Sequence, residues 1–283
     1  MNQRKFRFGI TGRGQTAQEW RDFARKAEDL GYSTLILPDH LIETMMAPLL
    51  VLTAAAQVTS RLRFGTLVLA NDLRHPAVLA KEAATLDVLT EGRFELGIGT
   101  GSQDADNHKA GIKVDEPGVR VERMRETLQI LKAAFTQDSV DYRGKHYQIT
   151  GLPGYPKPVQ QPHMPILLGA GGPRMLRMAA READIIGLIG TAETLGEKLT
   201  VVRKAAGERY DAIEFNQLHM RLKIEGHDAF GPQMAGAPAL EGSVDQIAEK
   251  LLETRERFDV SYPIIIGTAI TAFAPVVAKL NGS

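Results

Sequence analysis

The sequence predicts an α/β fold, namely a (β/α)8 TIM-type barrel with a small hairpin insertion after the fourth helix. Strand-like and helix-like segments alternate in about eight units along 283 residues, a length that matches such a barrel. The strand-like segments are near-continuous apolar runs, as expected for parallel strands that are buried on both faces. Because no linker rich in Pro, Gly or Ser divides the chain, we expect a single domain over residues 1–283. A doubly wound open sheet has the same alternation and is the alternative.

The first four units are defined by a change between strand and helix periodicity. Gly31 suits the position after the C-terminus of the first helix. The apolar residues on one face of that helix are Trp20, Phe23, Ala24, Ala27 and Leu30. Pro76 suits the first turn of the third helix, where a backbone N–H would have no partner. The predicted strands span residues 6–11, 34–39, 63–70 and 94–101, and the predicted helices span 16–31, 47–58, 75–90 and 117–135.

The alternation pauses at residues 140–149, VDYRGKHYQI, which are predicted to form a β-hairpin turning at Arg143-Gly144. Four further units follow this hairpin. The segment around 226–240 is rich in Gly, Ala and Pro, and we interpret it as an insertion and a candidate mobile loop over a site. The predicted strands span 165–172, 184–190, 217–224 and 262–267, and the predicted helices span 173–183, 194–210, 243–258 and 269–280.

The composition excludes several classes of function. Lys and Arg together number 34, as do Asp and Glu, so no basic surplus indicates nucleic acid or anionic lipid as a partner. The absence of cysteine excludes disulfides, thiolate nucleophiles and cysteine-based metal sites. The charged N-terminus lacks the apolar stretch of a secretory signal. The longest apolar-leaning stretch, residues 47–58, is far shorter than the roughly 20 residues of a membrane span. We therefore expect a cytoplasmic protein.

Polar residues or glycines follow several of the predicted strands. In a barrel, side chains at the C-terminal ends of the strands face a common pocket. His40 is a candidate for proton transfer, because imidazole is the side chain most often used as a general acid or base. Asp39 is suited to accept a hydrogen bond from a cofactor ring. The alternative is that the strands simply end and polar residues meet water. These strand ends are Asp39-His40, Asn71-Asp72, Thr100-Gly101-Ser102 and Gly169-Ala170-Gly171-Gly172.

The segment GAGGPRMLRMAA, residues 169–180, is the clearest candidate for anion binding. Its glycines allow backbone amides to approach a ligand closely, and the helix that begins next carries a partial positive charge at its start. Arg174 would add a charge-assisted contact to a phosphate oxygen. An ordinary tight turn between strand and helix is the alternative.

A second glycine-rich segment, GIGTG at residues 97–101, lacks the G-x-G-x-x-G spacing of dinucleotide loops. We expect its glycines to make room for a large flat group across the barrel mouth. The histidines show neither HxH nor HExxH spacing, so we expect no metal site.

At these residues the chain resembles the bacterial luciferase-like superfamily of flavin- and deazaflavin-dependent oxidoreductases. The resemblance covers nearly the whole length and is carried by segments such as LGYSTLILPDHL, GVRVERMRETLQILKAAF and PILLGAGGPRMLRMAAREADIIG. The run from RLRFGT to EGRFELGIGTG is highly specific for the superfamily. VLANDLRHP looks most like proteins assigned to coenzyme F420, a deazaflavin. The resemblance therefore implies coenzyme F420, with FMN as the alternative.

The resemblance also implies roles for particular residues. His40 stands at the position of the catalytic histidine of the family's deazaflavin dehydrogenases, and a non-proline cis peptide is expected at Leu67–Val68. Ser102 stands where a glutamate acid is expected, and Thr44 where an aromatic residue is expected, which argues against a sugar phosphate as the substrate. Asp39 would meet the pyrimidine side of the ring, Ala70, Asn71, Thr100 and Gly101 would surround the ring, and Gly171, Gly172, Arg174 and Met175 would hold the phosphate end.

Together these inferences predict an oxidoreductase that transfers a hydride between coenzyme F420 and a small organic substrate. The alternatives are an FMN-dependent luciferase-like monooxygenase that uses reduced flavin and oxygen, and a non-catalytic flavin-binding barrel. Because barrels of this family are commonly dimers, we expect a homodimer. Its candidate contact residues lie on the helices after strands two and three, where core packing explains most of them equally well: Leu49, Leu50, Leu79, Ala83 and Leu86.

Overall fold

The computed structural model describes residues 4–41, 45–101, 104–232 and 239–283. The strands are β1 (Gly9–Thr11), β2 (Thr34–Leu37), β3 (Arg63–Thr66), β4 (Leu69–Ala70), β5 (Phe94–Gly99), β6 (Ser139–Arg143), β7 (Gln148–Pro153), β8 (Ile166–Gly169), β9 (Ile185–Leu188), β10 (Glu214–His219), β11 (Leu222–Ile224), β12 (Leu240–Gly242) and β13 (Val260–Ile265). The α-helices are α1 (Ala17–Asp29), α2 (Pro48–Ala56), α3 (Pro76–Leu89), α4 (Asp104–Lys109), α5 (Pro117–Thr136), α6 (Pro173–Glu182), α7 (Ala192–Ala206), α8 (Val244–Phe258) and α9 (Ala274–Leu280).

A closed parallel sheet forms the centre of the fold. Its strand order is β3-β2-β1-β13-β10-β9-β8-β5-β4, and β3 also pairs with β5, so the sheet closes on itself. Because β3 and β4 both pair with β5 and together form one barrel strand, the sheet has eight strand positions. The predicted (β/α)8 barrel is confirmed, and the open doubly wound sheet is wrong.

Local sequence explains where several helices begin and end. α1 and α8 each start with a capping box, formed by Thr16 with Glu19 and by Ser243 with Gln246. In this arrangement the two side chains satisfy backbone N–H groups that a helix start leaves without partners. Gly31 follows α1 with a φ of +81°, a conformation that glycine adopts without strain, as predicted from its position.

The third barrel strand is interrupted between β3 and β4. The peptide bond Leu67–Val68 is cis, which confirms the expectation from the resemblance. Beside the interruption, the Thr66 hydroxyl donates to the Gly97 carbonyl at 2.7 Å and accepts the Gly97 N–H at 3.0 Å. The regular pairing of β3 with β5 ends one residue earlier, at Gly65 with Glu95. The Thr66 side chain therefore supplies hydrogen bonds where the ladder stops.

One predicted strand is divided in the structure, and one helix is present that was not predicted. The predicted strand 217–224 is divided, since β10 belongs to the barrel whereas β11 pairs with β12 in a separate two-stranded sheet. The apolar pattern did not reveal this division, because Leu222 and Ile224 are buried in their own small sheet as they would be in the barrel. α4 was not predicted. Residues 233–238 of the candidate mobile loop lie outside the described residues.

The predicted hairpin insertion is present as β6 and β7, which pair antiparallel after α5, the fourth predicted helix. Its turn, residues 144–147, lies slightly beyond the predicted Arg143-Gly144. Glu126 of α5 holds this turn, because its carboxylate accepts the N–H groups of residues 145–147 at 2.8, 3.0 and 3.1 Å. Burial raises the pKa of Glu126, but the three N–H donors outweigh burial, so the pKa lies below its ordinary value.

Two compact units are distinguishable in the chain. One comprises Met1–Ile36, Val58–Leu62 and Ala170–Ser283, and the other comprises Leu37–Gln57 and Arg63–Gly169. The single domain therefore stays a prediction.

The first unit contains β1, β9, β10 and β13. Its fully buried side chains include Phe8 and Tyr262. Just before β1, Arg7 donates two hydrogen bonds to the Glu214 carboxylate, at 2.8 and 2.6 Å, and its guanidinium lies 3.6 Å from the centre of the Tyr262 ring. The charged groups near the start of these strands thus find their partners within the unit.

In the second unit, polar side chains near the strand starts also find hydrogen-bond partners within the unit. Arg63 donates to Glu95 at 2.7 Å and to the Gln160 side-chain oxygen at 3.0 Å. The Gln160 amide in turn donates to Asp87 at 2.6 Å and to the Phe94 carbonyl at 2.8 Å. One network therefore links the starts of β3 and β5 to α3.

The predicted dimer contacts on α3 are wrong. Leu79, Ala83 and Leu86 are at most 3% exposed and belong to the core, because they lie on the buried face of the helix. Leu50 of α2 is 75% exposed and Leu49 is half-buried. The homodimer itself stays a prediction.

In the described ranges, none of the helices has both the length and the apolar character needed to cross a membrane.

Candidate functional site

The carboxylate of Asp39 follows β2 and is bound by the chain itself. It is 7% exposed. Its Oδ2 accepts the Ala70 N–H at 3.1 Å and a hydrogen bond from Arg74 Nη1, and its Oδ1 accepts Arg74 Nη2 at 3.2 Å. Charge-assisted bidentate pairs of this kind are strong and fix both side chains. His40, the next residue, is half-buried.

Asn71 lies at the end of the third barrel strand, as the first residue of a 3-10 turn over Asn71–Leu73. The side chain is buried, with the residue 2% exposed, and neither its Nδ2 nor its Oδ1 has a hydrogen-bond partner among the described residues. A buried polar group without a partner costs about 1–3 kcal/mol. An amide with an unmet donor and an unmet acceptor is therefore a candidate for a ligand contact.

Two arginines of α5 hold the neighbouring backbone. Arg123 donates to Asp72 and to Asp115, both at 2.6 Å. Arg120 donates to the Gly101 carbonyl at 2.7 Å. The turn after the third barrel strand and the end of the fourth are thus both fixed from α5.

The arginines at this end were missed in the sequence. Arg74, Arg120 and Arg123 occur within "LRHP" and "GVRVERMR", where nothing distinguishes them from arginines on a solvent-exposed helix face. The signal that was available is indirect: each aspartate at a strand end needs a cationic partner once it is buried.

The glycines of GIGTG do not make room for a ligand, so that expectation is wrong. A Cβ at Gly97 would overlap the carbonyl oxygen of Thr66, and one at Gly99 would lie 2.7 Å from a methyl group of Val68. At Gly101, which has a φ of +80°, a Cβ would lie 2.5 Å from Asp72 Oδ2. The space beside these glycines is filled by the chain's own atoms.

The glycines of GAGG behave differently. A Cβ at Gly171 or Gly172 would meet no atom within 4 Å. Gly172 is the N-cap of α6 and provides no side-chain cap, so the first N–H groups of that helix are available to a ligand. The Arg174 side chain is exposed. The apolar Met175 is 6% exposed, so Met175 is suited to contact an anion through its backbone N–H and not through its side chain. Gly171 and Gly172 belong to the first unit.

The remaining predicted positions add little geometry. Ala70 contributes the N–H that Asp39 accepts. Thr100 is half-buried, and its hydroxyl lies 3.4 Å from the Gly101 carbonyl oxygen. Ser102 and Thr44 lie outside the described residues. No group of three or more His, Asp or Glu side chains suited to a metal ion occurs in the described part of the chain.

Residues 5–224 match the luciferase-like monooxygenase family, which is most of the chain. The chain belongs to this family. An F420-dependent glucose-6-phosphate dehydrogenase from Kineococcus radiotolerans is 37% identical over 171 residues, which cover 58% of this chain and 50% of that protein. The chain spans between 50% and 64% of the length of the first curated relatives that it matches.

Two solved structures illustrate the range of this fold. The coenzyme F420-dependent tetrahydromethanopterin reductase from Methanopyrus kandleri superposes with a TM-score of 0.82 at 18% identity, covering 98% of this chain and 99% of that one. A type II Baeyer-Villiger monooxygenase from Pseudomonas putida, solved with FMN, superposes with a TM-score of 0.76 at 16% identity, covering 99% and 98%. At such identities the likeness establishes the fold alone.

Proposed function

We propose that the protein is an oxidoreductase that transfers a hydride between coenzyme F420 and a small organic substrate. The observation that carries the proposal is the buried amide of Asn71, which has an unmet donor and an unmet acceptor at a barrel strand end. The pyrimidine edge of a deazaflavin presents an N–H beside carbonyl oxygens, which one primary amide is able to pair with. The F420-dependent dehydrogenase among the relatives supports this coenzyme over FMN.

The anionic part of the coenzyme would be held by the loop before α6. Gly171 and Gly172 leave open space beside the backbone, and Arg174 is exposed. Helix starts with available N–H groups favour phosphate. This combination of residues fits a phosphorylated tail.

When bound, the coenzyme supplies the ring carbon that gives or takes the hydride. Asn71 would orient the ring through its edge. We assign His40 the role of general acid and base. With an alcohol substrate, the imidazole would take the hydroxyl proton. In the reverse direction it would return that proton to the carbonyl oxygen.

A titration of the purified protein with coenzyme F420, and separately with FMN, tests the proposal by fluorescence. We expect tighter binding of F420. Asn71→Ala should weaken binding about tenfold, because two hydrogen bonds to the ring edge are lost. Binding of FMN alone, with rapid turnover of the reduced complex in air, would establish the monooxygenase alternative, which the FMN-containing neighbour favours. Tight F420 binding without reduction by any alcohol, aldehyde or enone would indicate a non-catalytic barrel.

The role of His40 is tested by His40→Ala. Turnover should fall by roughly 10²–10⁴ while coenzyme affinity stays nearly unchanged, because proton transfer is lost and the ring contacts are kept. His75→Ala is the matched control, since the His75 ring accepts the Ala77 N–H at the start of α3 and has a structural role. Equal turnover in the wild type and the His40 variant would remove His40 from the mechanism.

A further inference from the structure

The carboxylate of Asp39 has little capacity left for a ligand. Three hydrogen bonds reach it, one from Ala70 and two from Arg74, and the residue is 7% exposed. The resemblance to the family places this carboxylate against the pyrimidine side of the coenzyme ring. The observed contacts point instead to a role within the chain.

These three contacts bracket one short segment. Ala70 comes directly before the 3-10 turn Asn71–Leu73, and Arg74 comes directly after it. One buried carboxylate at the end of β2 therefore fixes the turn at both of its ends. The Arg74 side chain is partly buried, at 19% exposed. Its Nε lies 3.9 Å from Oε2 of Glu82 in α3.

The turn is held from a second side as well. Asp72, whose side chain is 1% exposed, forms an ion pair with Arg123 of α5 at 2.6 Å. The Asn71 side chain lies in the same turn, and the described residues provide no hydrogen-bond partner for its amide. Rigid support around one unmet amide is the arrangement expected when that amide must be aimed at a ligand.

We propose that Arg74 is a positioning residue for the coenzyme. Arg74 and Asp39 form a clasp, by which we mean this ion pair and its bond to the Ala70 N–H, and the clasp sets the Asn71 amide against the pyrimidine edge. Asn71 contacts the ring, and Asp39 acts through Asn71. This inference rests on the proposed function.

A double-mutant cycle on the dissociation constant of coenzyme F420, followed by fluorescence, tests the clasp. The variants are Asn71→Ala, Asp39→Asn and Arg74→Met, alone and in pairs. We expect each single change to weaken binding about tenfold. The double variant Asp39→Asn with Arg74→Met should bind the coenzyme as tightly as either single variant. In the Asn71→Ala background, Asp39→Asn and Arg74→Met should each raise the dissociation constant by no more than about twofold.

Two further variants separate positioning from general damage. Arg63→Met breaks an ion pair of similar burial, to Glu95, at the opposite end of the same barrel strand, and it should lower stability without changing coenzyme affinity. Arg74→Lys keeps the charge and one contact, and it should recover part of the affinity. The absorption spectrum of bound coenzyme should shift in the same direction in the Arg74 and Asn71 variants, because both alter hydrogen bonding at the ring edge.

The outcomes separate the two proposals. If wild-type protein binds F420 and Asp39→Asn costs as much in the Asn71→Ala background as alone, Asp39 touches the ring and the clasp is overturned. If the wild type binds neither F420 nor FMN, the proposed function fails, and the clasp fails with it. If Arg63→Met weakens binding as much as Arg74→Met, the effect is general and the positioning role is overturned.

Discussion

Two glycine-rich stretches, GIGTG at residues 97–101 and GAGG at 169–172, both follow barrel strands and look alike in sequence. In the first, Thr66 and Val68 occupy the space where side chains of Gly97 and Gly99 would lie. In the second, nothing lies within 4 Å of a Cβ at Gly171 or Gly172. The first stretch thus serves packing around the interrupted third strand, and the second leaves open space beside its last two glycines. A glycine pattern alone does not distinguish these roles.

The largest expected effect is on the free energy of unfolding, which a Gly→Ala change should lower much more in the first stretch than in the second. Gly97→Ala should lower the free energy of unfolding by about 3 kcal/mol or more, because the new methyl group meets a backbone carbonyl that cannot rotate away. Gly171→Ala should change it by less than about 1 kcal/mol. Urea denaturation followed by circular dichroism measures both. A Gly97→Ala protein as stable as the wild type would contradict the packing role.

The second-largest expected effect is on coenzyme affinity, and it concerns the GAGG stretch. Gly172→Asp should weaken coenzyme affinity about tenfold or more, because a carboxylate replaces the space offered to phosphate. The same change should leave the fold intact or slightly stabilised, since Asp is a favourable N-cap and Gly172 already has an extended conformation, with φ −89° and ψ 160°.

Gly172→Asn is the matched control for this charge effect. It offers a similar cap without the negative charge and should bind coenzyme more tightly than Gly172→Asp. Equal losses of affinity in the two variants would show that steric blocking, and not charge, is responsible, and the anion site would lose its support.

The smallest effect concerns Glu126, whose carboxylate fills the space beside a third glycine, Gly144. Gly144 in the hairpin turn lies against the Glu126 carboxylate, whose pKa is held below its ordinary value of 4.5. A lowered folded-state pKa contributes stability that is present above the ordinary value and is lost as the pH falls through the lowered value. Glu126→Gln should therefore flatten the acid side of the stability curve below about pH 4.5.

Urea denaturation between about pH 3 and pH 7 measures this dependence. Glu122→Gln is the control, because Glu122 is more exposed and its contacts to Lys145 and His146 are side-chain contacts. We expect a smaller change there, as is usual for exposed ion pairs. An unchanged acid limb in Glu126→Gln would mean that the turn does not depend on this carboxylate.

The parts of the fold that depend on local pattern were predictable. Periodicity located the barrel strands and most of the helices, and Gly31 and the hairpin follow from turn and cap preferences that act over a few residues. The cis peptide at Leu67–Val68 was expected from the resemblance and not from pattern. Asn71 was placed correctly at a strand end, because strand ends share one rim in a barrel.

The contacts that define the candidate site were not predictable. Arg74 lies 35 residues from Asp39 in sequence, and Arg123 lies 51 residues from Asp72. Such pairs depend on how the elements approach each other, which the spacing of charged residues does not encode. The filled space beside Gly97 was missed for the same reason, because the third strand departs from regular pairing just there.

The unmet amide of Asn71 also bears on how the protein responds to heat. A chain that buries this group without a partner folds at a penalty, and any compound that completes its hydrogen bonds stabilises the native state by mass action, by about 2.7 kcal/mol at a concentration one hundred times the dissociation constant. The melting temperature should therefore rise when the right coenzyme is added. A thermal screen of redox cofactors would identify that coenzyme before any substrate is known.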